Sequence, residues 1–516
     1  MEKKRAGQIF WNAMLLTAAS LLMRTVGVSF QVYISNRTGA EAMGLFSLMS
    51  GVYGFALTLA SAGIHLGVTR VVSEELGTSH PERAGAVMRR AILYALSSGG
   101  AVALLLFFLA EPIGIHWLKD ARTVRSLRLF GITLPLIAVS SALGGYFTAV
   151  RRTYKNAAVQ VLEQAVKIGA SMYLLALVVG NDIESTCCAL VLGGTLAEIV
   201  SFFAEFLLYL LDRRRYLPSR TVAEHTRIGA QLMKISLPIA LTAAIRSGLV
   251  TLQHILIPEG LRNSGASHGA ALSAYGSIHS MAMPIILYPA ALIASFSGLL
   301  IPELAECRVK GHERHIRYMI SRVWWLALLF SIGVAGVLIC FSEEIGEALY
   351  PNTETGRYLR LLAPLIPIMY IDTATDAMMK GLGEQVYSMN VNIADALISV
   401  ILAWLLIPTL GIDGYLITIY FSELFNTVLS IAHLLSVSSP RIRLFKWVYK
   451  PLACIVVSTC LLRFILERLP RCGFPLAPTI ALHCVVAFAL YVLLLRLCGS
   501  IDREDVAWLG TLFGKR

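Results

Sequence analysis

The sequence predicts an all-α polytopic membrane protein: about fourteen transmembrane helices, in two six-helix lobes (spans 1–6 and 7–12) with spans 13 and 14 added. Three observations predict it. The 516 residues are 56% hydrophobic and only 15% charged, with a mean hydropathy of +0.69, whereas a soluble protein carries about 25% charged residues. Apolar windows long enough to cross a bilayer, which takes about 20 residues, follow one another along the whole chain. Each half also opens with such a window carrying a lone arginine, Arg24 in the first and Arg246 in the second.

The windows lie near 9–34, 44–69, 88–110, 127–150, 156–180, 186–211, 231–257, 269–300, 320–341, 358–382, 385–407, 412–436, 447–468 and 476–498. The polar breaks between them are short, so no extramembrane domain is expected. They divide the chain into an N-lobe at 1–227, a C-lobe at 228–440, and a remainder at 441–516 that holds spans 13 and 14 and a cytoplasmic tail. The basic start (Lys3, Lys4, Arg5) before an apolar run has the look of a signal peptide. The run is too long, contains Arg24 and lacks a small-residue cleavage site, so it is read as an uncleaved first span.

Arg24 and Arg246 set the functional question. A cation at membrane depth costs roughly 2.5–3.5 kcal/mol on insertion scales and persists only where it faces a bundle interior or a wet cavity. Such an arginine is either paired with a neighbouring carboxylate or lines a path for an anion. Both readings stand at this point, and the occurrence of two in corresponding places favours a two-lobed transporter.

Orientation follows from the loops. With the N-terminus inside, the inner segments hold Lys3, Lys4, Arg5, Arg83, Arg89, Arg90, Arg151, Arg152 and Lys155. They continue with Arg213, Arg214, Arg215, Arg220, Arg227, Arg308, Lys310, Arg314, Arg317, Arg441, Arg443, Lys446 and Lys450. This is the positive-inside bias, and it explains the formal net charge of +12 without nucleic acid. Asp182, Glu184, Glu343, Glu344, Glu347 and Glu354 mark outer loops. One loop runs against the pattern: residues 111–128 place Lys119, Arg122, Arg125 and Arg128 outside. An even number of spans puts both termini in the cytoplasm. The nine cysteines show no metal spacing and read as small apolar residues, with no disulfide expected.

The two halves echo one another. Span 2 ends in a small-residue stretch and an acidic turn, Gly63 to Glu75, and span 8 does the same from Ala294–Gly298 to Pro302–Glu303. Span 4 carries Pro135 and ends Gly144-Gly145-Tyr146-Phe147; span 10 carries Pro364 and Pro367 and ends Lys380-Gly381-Leu382-Gly383. Parallel repeats place a substrate site near the midplane between them. Pro238, Pro284, Pro289, Pro364 and Pro367 each remove a helical hydrogen bond and predict broken or bending helices in the second lobe.

At these residues the chain resembles a known family. Leu22-Met23-Arg24-Thr25-Val26-Gly27 through Gly39-Ala40-Glu41-Ala42-Met43-Gly44-Leu45-Phe46 is similar to the opening of the stage V sporulation protein B family. These are polysaccharide-type members of the multidrug/oligosaccharidyl-lipid/polysaccharide exporter superfamily, related to the lipid II flippases. Gly145-Tyr146-Phe147 with Gln160-Val161-Leu162-Glu163-Gln164 resembles the family's segment joining spans 4 and 5. Tyr275-Gly276 through Met283-Pro284, Pro289 and Ile301-Pro302-Glu303-Leu304 resembles its span 8. Thr148 to Thr153 departs from the more usual Gln-Gly run, which bears on that turn and not on the fold. The resemblance implies fourteen spans in two lobes, alternating access, and export of a lipid-linked glycan. It also implies a groove for the polyprenyl tail at spans 13 and 14.

A polyprenyl-pyrophosphate sugar makes definite chemical demands. Its pyrophosphate needs buried cations, best met by arginine forks, and Arg24 and Arg246 are the candidates. Lys167 is a third, although Glu163 one turn before it offers a local ion pair. Asn12, Gln31, Gln160, Gln164, Asn390, Asn392 and Asn426 are polar groups for a glycan, or for helix–helix contacts. Asp372, Asp376, Asp395 and Glu423 in spans 10–12 are candidates for ion coupling, with Glu198 and Glu205 as further intramembrane acids. They either carry H+ or Na+ or neutralise the arginines. His65, His254 and His279 read as packing residues.

The expected function is a flippase for a lipid-linked oligosaccharide or peptidoglycan precursor, serving cell-wall, spore-cortex or polysaccharide synthesis. The alternative is a cation-coupled multidrug or small-molecule exporter of the same superfamily, against which stand the arginine pair and the two extra spans. A membrane-embedded glycan polymerase needs a large outer loop that this chain lacks, so no enzymatic activity is expected. A non-transporting scaffold leaves the intramembrane charges without purpose. No cofactor is expected beyond H+ or Na+. The expected partners are the lipid-linked glycan, membrane lipids and cell-wall synthesis enzymes, with no nucleic acid, and the protein is expected to be a monomer of the cytoplasmic membrane.

Overall fold

The computed structural model describes residues 2–77, 83–178, 182–216, 227–350, 353–440, 442–468, 476–502 and 505. The side chains of Lys3, Lys4, Arg5, Asn12, Arg83, Arg214, Arg215, Arg220, Arg227 and Arg441 lie outside the described residues.

Helices fill every predicted span, and no strand occurs among the described residues. They are α1 (Glu2–Ser61), α2 (Ile64–Gly77), α3 (Arg83–Pro112), α4 (Val124–Ala149), α5 (Thr153–Leu177) and α6 (Ile183–Tyr216). Next come α7 (Arg227–Asn263), α8 (His268–Gly276), α9 (Met283–Leu287), α10 (Ala290–Val309), α11 (Glu313–Leu349) and α12 (Thr353–Leu362). The chain ends with α13 (Ile366–Gly381), α14 (Gln385–Leu410), α15 (Ile412–Ser438), α16 (Lys450–Arg468) and α17 (Leu476–Leu497). Wide π-turns at Ser277–Ala282 and Phe445–Tyr449 lead into α9 and α16.

Twelve helical stretches among the described residues are long and apolar enough to cross a membrane. Leu21–Gly77 holds spans 1 and 2, and span 8 is divided between His268–Leu287 and Ala290–Val309. α5 is more polar, because it carries Gln160, Glu163, Gln164 and Lys167. Span 10 is cut into α12 and α13 by a 3-10 turn at Ala363–Leu365 that contains Pro364. The two spans that depart most from plain apolar helix are therefore two that carry candidate site residues.

Span 1 and most of span 2 run on as α1, which breaks at Gly39 (φ 82°, ψ 169°), and span 2 breaks again at Ala62–Gly63 before α2. Positive φ is nearly free for glycine alone, which is why the chain turns there without a loop. Of the five prolines expected to break or bend helices, four flank or interrupt their helices: Pro284, Pro289, Pro364 and Pro367. Pro238 does not, since α7 passes through it unbroken. A membrane helix absorbs one missing hydrogen bond when the turns on either side stay paired.

The chain forms two compact units. One comprises Met1–Ala40, Ser277–Leu402 and Thr409–Arg516; the other comprises Glu41–Gly276 with Ala403–Pro408. We call them the first and second unit. Span 1 thus belongs with spans 9 and 10, and span 7 with spans 2–6.

In the second unit, α2, α3, α4, α6 and α7 enclose a core of Val68, Val72, Met88, Ala138, Tyr146, Phe147, Tyr209 and Leu232. Small residues let the helices approach closely. A Cβ on Gly44 would lie 2.0 Å from the Leu272 carbonyl oxygen, and one on Gly63 (φ +77°) would lie 2.3 Å from that of Ser236. The basic loop that ran against the orientation rule is ion-paired here. Lys119 bonds Glu259, Arg122 bridges Asp120 (2.7 Å) and Glu41 (3.2 Å), and Arg128 reaches Glu111 (3.3 Å). At the α4–α5 turn, Arg152 (2.6 Å) and Lys155 converge on buried Asp212 of α6.

In the first unit, α11 is the central helix, with α10, α12, α13, α16 and α17 packed around it. Trp324 is buried and donates to Thr375 Oγ1 at 3.1 Å, while Tyr491 donates to the Leu329 carbonyl at 2.8 Å. Spans 13 and 14 are joined by Ser458 Oγ donating to the Ala487 carbonyl at 2.7 Å. Elsewhere large apolar side chains point outward, among them Phe108 (73% exposed) and Val485 (65%), as lipid contact requires.

Candidate functional site

The discontinuity in span 8 is the most specific local geometry in the first unit. Pro289 has no N–H to give the preceding turn, and Ala291 N bonds the Tyr288 carbonyl at 3.2 Å instead of reaching back to Leu287. The tighter turn releases the Leu287 carbonyl, and side chains from other helices take up this carbonyl and that of Ile286 before it. Arg24 Nη2 donates to the Leu287 carbonyl at 2.9 Å, and Tyr370 of α13 donates to the Ile286 carbonyl at 2.7 Å. The hydroxyls of Thr25 and Tyr288 share a hydrogen bond of 2.7 Å, and Gln31 Nε2 donates to the Ser280 carbonyl at 3.3 Å. Span 1 is thereby fastened along the broken helix.

Arg24 is exposed, and among the described residues no carboxylate pairs with it. Leu287 engages one of its three nitrogens. The remainder of the fork is the kind of group that grips a phosphate.

The same α13 that supplies Tyr370 carries Asp372 and Asp376. Asp372 is within Coulombic reach of Asp376 and Asp395, and Glu423 of Asp372 and Asp395, so the four acids of spans 10–12 form one electrostatic group. Their settings differ. Asp376 is held by Lys380 (2.6 Å) and by Ser388 Oγ. Asp395 accepts from Ser422 Oγ at 2.7 Å. Asp372 Oδ1 is buried without a hydrogen-bond partner. Asn392 donates to the Ser388 carbonyl of its own helix, and Asn426 accepts from Ser430 of its own. No grouping of His, Cys, Asp and Glu among the described residues has metal-site geometry.

Arg246 and Lys167 lie in the second unit, both exposed. No ion pair joins Lys167 to Glu163 among the described residues; Glu163 instead accepts from Ser201 Oγ of α6 at 3.1 Å. Glu198 is in Coulombic reach of Glu163 and Lys167, and buried Glu205 of Glu163 and Glu198. This group escaped the sequence reading, which took Glu163 as Lys167's partner and the other two as separate acids. The signal was present: Glu198, Ser201 and Glu205 share one face of α6. His254 packs as expected, bonded to Tyr275 at 2.7 Å.

An all-helical, multi-pass architecture with charged groups held inside its bundles defines a membrane transporter. Residues 9–307 match the family described as polysaccharide biosynthesis protein, and the chain belongs to that family. Residues 265–405 also match the MatE family. The chain is 23% identical over 507 residues to stage V sporulation protein B of Bacillus subtilis (strain 168), covering 96% of each. It is 20% identical over 438 residues to lipid II flippase MurJ of the same organism, covering 79% of each. Among solved structures it is similar to lipid II flippase MurJ in an inward closed conformation, with a TM-score of 0.71 at 13% identity over 96% of this chain and 100% of that one. The family resemblance and the exporter fold read from the sequence are both borne out.

Proposed function

We propose that the protein is a flippase that moves a polyprenyl-pyrophosphate sugar across the cytoplasmic membrane by alternating access, for cell-wall, spore-cortex or polysaccharide synthesis. The observation that carries this reading is Arg24, anchored on the Leu287 carbonyl at the span 8 break with no carboxylate partner among the described residues. An intramembrane arginine without an acidic partner calls for an anionic ligand. The similarity to a lipid II flippase supports the same cargo class.

In this reading Arg24, Arg246 and Lys167 contact the pyrophosphate. The lobes 1–227 and 228–440 alternate, and residues 441–516 accommodate the lipid tail. The carboxylates Asp372, Asp376, Asp395 and Glu423 bind H+ or Na+ as the coupling ion. α13 links the two tasks, since it carries Asp372 and Asp376 together with Tyr370, which bonds the Ile286 carbonyl at the span 8 break. Both termini face the cytoplasm, the chain works as a monomer alongside cell-wall synthesis enzymes, and it catalyses no covalent step.

The test is binding of a fluorescent undecaprenyl-pyrophosphate sugar to the purified protein and to correctly folded Arg24→Ala and Arg246→Ala variants. At least tenfold weaker binding in each variant is expected. Wild-type affinity in both would remove the arginines from the cargo site.

A further inference from the structure

A second basic site lies at one end of the first unit, on residues that the cargo reading leaves unused. Arg314, Arg317, Tyr318, Arg322 and Trp325 follow one another at helical spacing and form a single face of α11. Arg443, Lys446 and Trp447, at and before the π-turn that opens span 13, face them across a cavity of about 490 Å³. That is within the range of small-ligand sites, about 300–1,000 Å³.

Two carboxylates share the cavity and neutralise two of its cations. Asp505 bonds Arg322 and Lys446, and Asp502 also bonds Lys446. Arg314, Arg317 and Arg443 are exposed and have no carboxylate partner among the described residues. The acids on the neighbouring stretch are engaged elsewhere: Glu303 with His315, Glu306 with Lys310, and Glu313 with Arg308. Among the described residues the cavity thus presents three guanidinium groups with no carboxylate partner.

An independent observation points to a missing acceptor. Trp325 lines this cavity and is only 3% exposed, yet its indole Nε1–H has no hydrogen-bond partner. A buried donor left unmade is costly, and an anionic oxygen in the cavity is the acceptor that the surrounding charges would attract.

The setting selects a lipid over a dissolved anion. Leu444, Phe445 and Tyr449 beside the cavity are each more than half exposed, as side chains at the hydrocarbon–headgroup boundary are. Basic pockets between membrane helices bind phosphate headgroups. We propose that this cavity holds the phosphodiester headgroup of an anionic membrane phospholipid, gripped by Arg314, Arg317 and Arg443 with the Trp325 indole as a neutral donor. This lipid is resident and distinct from the cargo, so the proposal does not depend on which glycan is carried.

The experiment titrates the delipidated full-length protein in detergent with a short-chain phosphatidylglycerol, a short-chain phosphatidylcholine, or inorganic phosphate, reading bound lipid. Phosphatidylglycerol is expected to bind at least tenfold more tightly than phosphatidylcholine, with millimolar phosphate failing to displace it. An Arg314→Gln/Arg317→Gln/Arg443→Gln variant is expected to lose that preference while keeping its unfolding temperature in phosphatidylcholine. Trp325→Phe, which keeps the ring and removes the donor, is expected to weaken phosphatidylglycerol binding several-fold. Equal binding of the two lipids, an unchanged preference in the triple variant, or complete displacement by phosphate would each overturn the proposal.

Discussion

The Arg24 guanidinium donates to the Leu287 carbonyl at 2.9 Å, across 263 positions of sequence. That carbonyl is available because the turn before Pro289 pairs Ala291 with Tyr288. A helix break at one proline is thereby joined to an arginine inside the chain's first span. Arg24 has a structural partner and still has donors to spare.

The two roles separate by substitution. Arg24→Lys keeps the charge and hydrogen-bond donors but loses the planar fork, and it is expected to lower transport about tenfold with little change in stability. Arg24→Ala also leaves a carbonyl unsatisfied, at a cost of about 1–3 kcal/mol, and is expected to abolish transport. Transport rates beside unfolding temperatures in the same detergent check both statements. Equal activity of the Lys and wild-type proteins would show that the fork is not used.

The acids of spans 10–12 are expected to govern coupling. Asp372→Asn and Asp395→Asn remove charge at nearly constant shape, so insertion and cargo binding should persist. Uptake driven by a proton or Na+ gradient should fall to the rate seen without the gradient. A gradient response that survives both substitutions would assign the group to structure alone.

Close helix approach in the second unit makes a separate stability prediction. Gly44 leaves no room for a side chain, because a Cβ would stand 2.0 Å from backbone oxygen of Leu272. Gly44→Ala is expected to destabilise the unit by about 1–3 kcal/mol through overpacking, measured as a drop in unfolding temperature. Gly54→Ala on the same helix, where nothing lies within 4 Å, is expected to be tolerated.

Acid sensitivity of the second unit follows from Asp120, which sits between spans 3 and 4. Burial pushes its carboxyl up, but hydrogen bonds from Arg122 and His268 outweigh that and hold it below the usual carboxylate range. A depressed folded-state value means the contribution is complete above the unfolded value of about 3.9 and is lost as pH falls through the folded one. Unfolding temperature should therefore drop steeply below about pH 4 in the wild type and less so in Asp120→Asn. At neutral pH, Asp120→Asn should cost about 1–3 kcal/mol, since it removes the buried charge that Arg122 and His268 share and leaves Arg122 only Glu41.

Much of the fold was readable because hydropathy and helix length are local properties. The spans fall where the apolar windows do, and Pro289 and Pro364 mark real breaks because a missing N–H acts within one turn. Other features depend on what a residue meets across the bundle. In the basic loop at 111–128, Lys119, Arg122 and Arg128 pair with Glu259, Glu41 and Glu111, the first two of them distant in sequence. Lys167 and Glu163, correctly spaced for an ion pair, do not form one because Ser201 of the facing helix takes Glu163. Pro238 carried the same local signal as Pro289, yet α7 runs on through it.

The most direct measurement is translocation by the intact protein in proteoliposomes, comparing a fluorescent undecaprenyl-pyrophosphate sugar with a cationic dye. Movement of the lipid-linked sugar, lost in Arg24→Ala, is the result predicted. Extrusion of the dye with no movement of the sugar would contradict the flippase assignment and identify a cation exporter centred on Asp372, Asp376 and Asp395.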